Sequence, residues 1–188
     1  MADAARRRAT YEDLLAVPTH RIAEIVDGVL HTQPRPASRH ARAATKLGAA
    51  LDGPFDQGQG GPGGWVLLHE PELHLTADVL VPDCAGWRRE RMPVLPDTAA
   101  FELAPDWVCE VLSASTAATD RAEKMPIYAR ARVSFAWLVD PTARTLEAFR
   151  LEPSGQRWIL LGTWRDDVRV RAEPFDACEL ELGRLWSR

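Results

Sequence analysis

The 188-residue chain is 46% apolar and 27% charged, with a formal net charge of −4. That length and balance fit one soluble globular domain, residues 1–188, with a core of its own, and they count against a tight nonspecific nucleic-acid binder. Three cysteines, an odd number with no CxxC pair, indicate neither a zinc site nor a disulfide framework.

In chain order, residues 1–9 are expected to be frayed. Arg6, Arg7 and Arg8 are not followed by an apolar h-region, and no apolar run is long enough to span a membrane, so no membrane partner and a reducing cytoplasm are expected. Thr10 with Asp13 reads as a capping box opening a short helix to Leu15, ended by Pro18. Asp27-Gly28 between two strand-like runs is a hairpin signal. Strand alternation places Ile22, Glu24 and Val26 on one face, an odd setting for a solvated carboxylate. After a connector stiffened by Pro34 and Pro36, Ser38 is expected to cap a helix over 39–51. Its buried stripe is His40, Ala44, Leu47 and Leu51. Six of the twelve glycines fall in 53–64, which reads as a flexible loop.

A strand is expected over 65–75, bent at Pro71, and another over 79–84 with Val79, Val81 and Asp83 on one face. Glu70, Glu72 and His74 share a face of the first, and Glu72 is a weak site candidate. Arg88, Arg89 and Arg91 follow in a long connection and form either a solvated loop or part of a local phosphate-contacting surface. The run 107–112 is a third strand with Val108, Glu110 and Leu112 on one face. Asp120 with Glu123 reads as the cap of a helix to about Arg132, kinked or restarted at Pro126. Residues 134–139 have the apolar character of a central strand. Two more strands follow over 145–151 and 158–163, with a strand and a short closing helix after them. Cys84 and Cys109 each neighbour an acid, so on a strand they face the packed layer behind it.

Asp83 and Glu110 carry the chemical reading. A carboxylate inside an apolar strand is costly to desolvate unless paired. Two of them about 4 Å apart repel by roughly 4 kcal/mol at an effective dielectric of about 20. A hard divalent cation removes that cost, since Mg²⁺ takes one or two carboxylates plus water and substrate phosphate. The pattern therefore points to a one-cation phosphodiesterase site.

The order of helix, three strands, helix and strand, with acids on the second and third strands, resembles the PD-(D/E)XK nuclease superfamily. Within it, residues 10–186 resemble the Uma-type restriction endonuclease family. The matching pieces are Glu24-Ile25-Val26-Asp27-Gly28, His40, Val81-Pro82-Asp83, Glu110-Val111-Leu112-Ser113, Asp120 with Lys124 and Tyr128, and Trp137-Leu138-Val139-Asp140-Pro141. The resemblance implies an α/β fold with a restriction-endonuclease-like core: a central mixed β-sheet flanked by helices, preceded by an N-terminal helix and β-hairpin. It implies Mg²⁺, with Mn²⁺ as a substitute, on Glu24, Asp83 and Glu110, the Val111 carbonyl completing the shell. Lys124 would orient water or stabilise phosphorane charge, and His40 would support a metal ligand from behind or contact a phosphate. DNA is the implied substrate, and cutting both strands asks for a homodimer.

Two departures stand out. The superfamily's strand lysine would fall at position 112, which is Leu112, so Lys124 on the following helix has to reach the same space. Arg132 stands where that helix would close on glycine. The residues also admit plainer roles. The acids can be strand ends bonded to backbone amides, Lys124 a surface partner of Asp120 at i,i+4, and Tyr128 a packing residue. The rival functions are a nuclease fold that binds nucleic acid or protein without cutting, a protein–protein module, and a hydrolase using Ser113 and His40. The last lacks a G-x-S-x-G elbow.

Overall fold

The computed structural model describes residues 7–186; the expected fraying of 1–6 lies outside the described residues. Residues 7–9 are tied down, since Arg7 pairs with Asp13 at 2.8 Å and the Ala9 N–H donates to the Gly28 carbonyl at 2.8 Å. Helix α1 (Tyr11–Leu15) starts on the Thr10–Asp13 capping box. Strands β1 (Arg21–Val26) and β2 (Val29–Pro34) form the hairpin, with Asp27 at φ 48° and Gly28 at φ 82° supplying the tight turn. β2 takes in Pro34 as its last residue, an allowed place for proline on an edge strand.

Helix α2 (Ser38–Leu51) buries Ala43, Ala44, Leu47 and Leu51. Ser38 is its first residue, not its cap; the cap position is Ala37, which makes no side-chain bond. The helix runs on into a π-helical turn, Asp52–Asp56, so the expected flexible loop begins later than its glycines suggest. Phe55 anchors that turn by packing at 4.7 Å on Phe175, and the Leu67 N–H donates to Asp56 Oδ2 at 2.8 Å.

The remaining strands are β3 (Trp65–His69), β4 (Glu72–Leu75), β5 (Asp78–Leu80), β6 (Cys84–Arg88), β7 (Ala100–Phe101), β8 (Trp107–Val111), β9 (Phe135–Asp140), β10 (Thr145–Leu151) and β11 (Trp158–Arg165). A short ribbon, β12 (Arg169–Val170) with β13 (Leu180–Glu181), and a 3₁₀ turn at Leu182–Arg184 close the chain. The strands form two central mixed sheets, one of six strands ordered β11-β10-β9-β8-β6-β3 and one of five ordered β2-β1-β5-β4-β7. In the first only β8 and β9 run parallel, joined through a helix; in the second only β4 and β7 do.

Two single strands read from the sequence are each two strands in different sheets. Residues 65–75 break at Glu70, whose φ is 46°, so β3 belongs to the large sheet and β4 to the small one. Residues 79–84 break at 81–83, so β5 and β6 are parted in the same way. Pro71 and Pro82 each remove a ladder donor at the break. Asp83 therefore sits at a sheet corner, not inside a strand, and the two breaks meet there: the Glu70 N–H donates to the Asp83 carbonyl at 3.1 Å.

The six-stranded sheet has a core on each face. On one, Cys84, Trp107, Cys109, Val111, Trp137 and Val139 pack against α2 and Phe175. On the other, Ala85, Val108, Leu112, Ala136 and Leu138 pack against the second helical region. Cys84 and Cys109 are direct cross-strand partners on the α2 side, behind the acids as expected. The second helical region is α3 (Ala117–Thr119), a π-helical turn Asp120–Lys124, and α4 (Met125–Arg130). Asp120 does not cap it; it is a buried residue of the wide turn. The Met125 N–H reaches back to the Asp120 carbonyl, and that extra residue gives Pro126 room without stopping the helix. Arg132, at φ 63°, occupies the left-handed position expected of glycine.

Candidate active site

The corner between the sheets collects the acids. β1 carries Glu24 against the β5–β6 break, where its Oε1 accepts the Val81 N–H at 2.8 Å. Asp83 Oδ2 accepts the Val111 N–H at 2.7 Å, and His40 Nε2 from the first turn of α2 lies 3.3 Å from the same oxygen. Glu110, next to the end of β8, points to the face opposite Cys109. Its Oε1 accepts from the Tyr128 hydroxyl at 2.6 Å.

Lys124 ties these groups together. Its Nζ lies 2.8 Å from Glu24 Oε1, 3.3 Å from Glu110 Oε1 and 3.4 Å from Asp120 Oδ1. The i,i+4 pair with Asp120 is present, but both residues are 2% exposed, so it is no surface pair. The π-helical turn makes this possible by presenting both ends of Asp120–Lys124 to the interior. The helix thus delivers an ammonium to Glu110, the service that a lysine at position 112 would have given. Leu112 instead fills core beside Val108 and Leu138.

Burial pushes the Glu110 carboxyl well above its ordinary range; Lys124 opposes the shift, while Asp120, Asp83 and Glu24 add to it. Burial alone would lower the Lys124 ammonium, but Glu110, Glu24 and Asp120 hold it well above its usual value, so it stays charged. Asp120 is also raised, mainly by burial against the pull of Lys124. For His40, burial lowers the imidazole, but its bond to Asp83 and that charge outweigh burial and raise it. Its Nδ1 is buried with no hydrogen-bond partner.

Asp83, Glu110, Lys124 and His40 share a cleft of about 220 Å³, lined also by Glu70, Asp120, Ser113, Gln33 and Arg35. Glu24 does not line it; it lies behind Lys124, in an adjoining pocket with His31 and Thr32. Glu72 is elsewhere, bonded to the Tyr11 hydroxyl and to His74, both at 2.8 Å. The basic triplet is also spent elsewhere. Arg88 stacks on Trp65 at 4.3 Å, Arg89 pairs with Asp56 at 2.9 Å, and Arg91 pairs with Asp106 at 2.8 Å. Sequence reasoning passed over Glu70 and Arg35. Arg35 carried one usable signal, its place between two prolines just before the helix of His40. Glu70 carried none, because its position follows from the sheet break.

The donor set suits a hard divalent cation in one respect and not in another. Asp83 and Glu110 each commit one oxygen to protein donors, and their other oxygens have no hydrogen-bond partner among the described residues. Three carboxylates, Glu24, Glu110 and Asp120, surround a single lysine, an excess of negative charge that a dication offsets. Among the described residues no three His, Cys, Asp or Glu are arranged as a ready metal cage. Mg²⁺ needs no such cage, since one or two carboxylates with waters and a phosphate complete its shell.

The chain as a whole has a counterpart among known families. A family model described as "Putative restriction endonuclease", Uma2, matches residues 8–183. The chain belongs to the Uma2 family. Its fold is shared by the crystal structure of a "putative nuclease belonging to DUF820" from Anabaena variabilis, with a TM-score of 0.74 and 20% identity, over 95% of this chain and 97% of that one. No curated protein gives a significant match. In this Uma2-family chain the α/β fold with central mixed sheets and the family resemblance stand as expected from the sequence. Among the described residues no helix is long and apolar enough to cross a membrane.

Proposed function

We propose that the chain is a metal-dependent nuclease that hydrolyses phosphodiester bonds of DNA at the Asp83–Glu110 cleft. The observation that carries this is Lys124, whose Nζ reaches Glu110 at 3.3 Å from a neighbouring helix and so restores the acid–acid–lysine set that Leu112 interrupts. Asp83 and Glu110 would hold Mg²⁺, or Mn²⁺ in its place. A cation there supplies charge neutralisation and Lewis-acid polarisation of the phosphoryl group. Val111 borders the same cleft. Glu24 serves through Lys124, which it holds at 2.8 Å. The Lys124 ammonium presents fixed positive charge to the oxygens where negative charge develops. His40 steadies Asp83 and can donate from Nε2. Paired cuts in duplex DNA then call for two copies of the chain, a homodimer, and three unpaired cysteines suit a reducing, cytoplasmic setting.

The test is metal binding by calorimetry with a cleavage assay on mixed DNA, for wild type, Asp83→Asn, Glu110→Gln and Lys124→Ala. Metal-dependent cutting by wild type, abolished by EDTA and by each variant, is expected. Metal binding without cutting favours the second reading, a nuclease fold that binds nucleic acid or a protein without catalysis. One observation supports that reading: three carboxylates already neutralise Lys124. Wild type that binds no metal even with DNA present sinks the proposal.

A further inference from the structure

We propose that Arg35 is the phosphate-binding residue at the mouth of the cleft, and that Glu70 competes with substrate for it. This rests on the nuclease reading above and names the residue that recognises the nucleic-acid backbone.

Three cations line the cleft: Arg35, His40 and Lys124. Lys124 is enclosed by Glu24, Glu110 and Asp120, and its side chain is 3% exposed. His40 is spent on Asp83, with its side chain 13% exposed. Arg35 differs, with a side chain 60% exposed. Its anionic contact among the described residues is Glu70, with Nη1 3.7 Å from Oε2, and its Nη2 donates to the Thr19 carbonyl at 3.3 Å. An exposed ion pair that long is weak and easily displaced. A guanidinium fork on a phosphate makes two parallel charge-assisted bonds and wins that competition.

The location is also suitable. A polyanion entering this cleft meets Glu70, Asp83, Glu110 and Asp120, and is repelled unless a cation offsets them. Arg35 is the cleft cation free to do so. Pro34 and Pro36 fix the backbone on either side, so the guanidinium is presented with little loss of chain entropy. The Arg88, Arg89 and Arg91 triplet does not compete for the role, being pinned at the far end of β6.

The experiment is binding of a fluorescent short duplex DNA to the full chain by anisotropy. It is done in EDTA and again in Ca²⁺, between about 50 and about 200 mM salt. Wild type, Arg35→Ala, Glu70→Gln and Lys46→Ala are compared; Lys46 is an exposed α2 lysine away from the cleft. Arg35→Ala is expected to weaken binding roughly tenfold and to reduce the salt slope by about one. Glu70→Gln is expected to tighten it several-fold at the lowest salt, and Lys46→Ala to leave it near wild type. Equal affinity and slope for Arg35→Ala, in protein that still cuts DNA with Mg²⁺, overturns the inference and leaves the nuclease reading standing. Equal losses for Arg35→Ala and Lys46→Ala also overturn it, since net charge then explains both. Wild type that binds no DNA in either buffer overturns the inference and the nuclease reading together.

Discussion

Asp83 Oδ2 accepts the backbone N–H of Val111 at 2.7 Å, which fastens the acid of the sheet corner to the strand that carries Glu110. The bond lies beyond the end of the β6–β8 ladder, whose last register pair is Cys84 with Cys109. A side chain therefore continues the sheet where Pro82 has interrupted the backbone.

That bond separates two substitutions at Asp83. Alanine leaves the buried Val111 N–H without an acceptor, at a cost of about 1 to 3 kcal/mol. Asparagine keeps an acceptor oxygen and loses only the charge. Urea unfolding in EDTA is expected to show Asp83→Ala clearly less stable than wild type and Asp83→Asn within about 1 kcal/mol of it. Equal losses in both would mean that the charge, through His40, matters more than the amide bond.

Removing Lys124 strips the cation from Glu24, Glu110 and Asp120. Breaking a buried ion pair from one side costs roughly 3 to 5 kcal/mol. The lysine's pKa is raised in the folded state, so its contribution is complete at neutral pH and lost only as the pH rises through that raised value. Lys124→Met is expected to lose that much at about pH 8 and less at about pH 5, where the abandoned carboxylates take up protons. A loss that does not change with pH would show that packing, not charge, is what the lysine supplies.

For Glu110 the sign is the same, but the window lies lower. Its carboxyl is raised above 4.5, so the folded state holds the proton more tightly than the unfolded chain. Wild-type stability then falls as the pH climbs from near 4.5 through the raised folded value. Glutamine carries no such penalty. Without metal, Glu110→Gln is expected to gain on wild type as the pH rises from near 4.5 through the raised folded value, while losing metal binding. A variant that falls further behind wild type with rising pH would show that the bond to Lys124 outweighs the burial of the charge.

Much of this site was legible in the chain, and the rest was hidden for definite reasons. Asp83, Glu110 and Glu24 stood out as acids among apolar neighbours, and all three are buried. Thr10, Asp27-Gly28 and the position of Arg132 are local backbone signals, and each behaves as its chemistry dictates. The breaks at Glu70 and at 81–83 were hidden because alternation of period two runs on through them. Only pairing with different sheets reveals the corner. Asp120 matched a cap pattern, but the π-helical turn depends on the interior receiving both Asp120 and Lys124, which no local pattern encodes. Glu70 belongs to the site through that same corner, so it was invisible until the strands had been placed, whereas Arg35 was marked only by the prolines on either side of it.

Gly86 tests how tightly the corner is built. It lies on β6 two residues past Cys84, and a methyl group there would stand 2.8 Å from Leu67 Cδ2, 3.2 Å from Trp65 and 3.3 Å from Trp107. The indoles have little room to move, because Trp65 and Trp107 both pack at 4.9 Å on Phe175. Overpacking of this kind costs typically 1 to 3 kcal/mol. Since β6 begins immediately after Asp83, a shift of the strand also shifts that acid relative to Glu110. Gly86→Ala is therefore expected to lower stability by about that amount and to weaken Mg²⁺ binding as well. The control is Gly48→Ala, at an α2 position where an added methyl meets nothing within 4 Å; it should leave metal affinity unchanged and raise stability by up to about 1 kcal/mol, as alanine does in a helix interior. Loss of stability with unchanged metal affinity would show that Asp83 is held by Val111 and His40 alone, independently of the strand behind it.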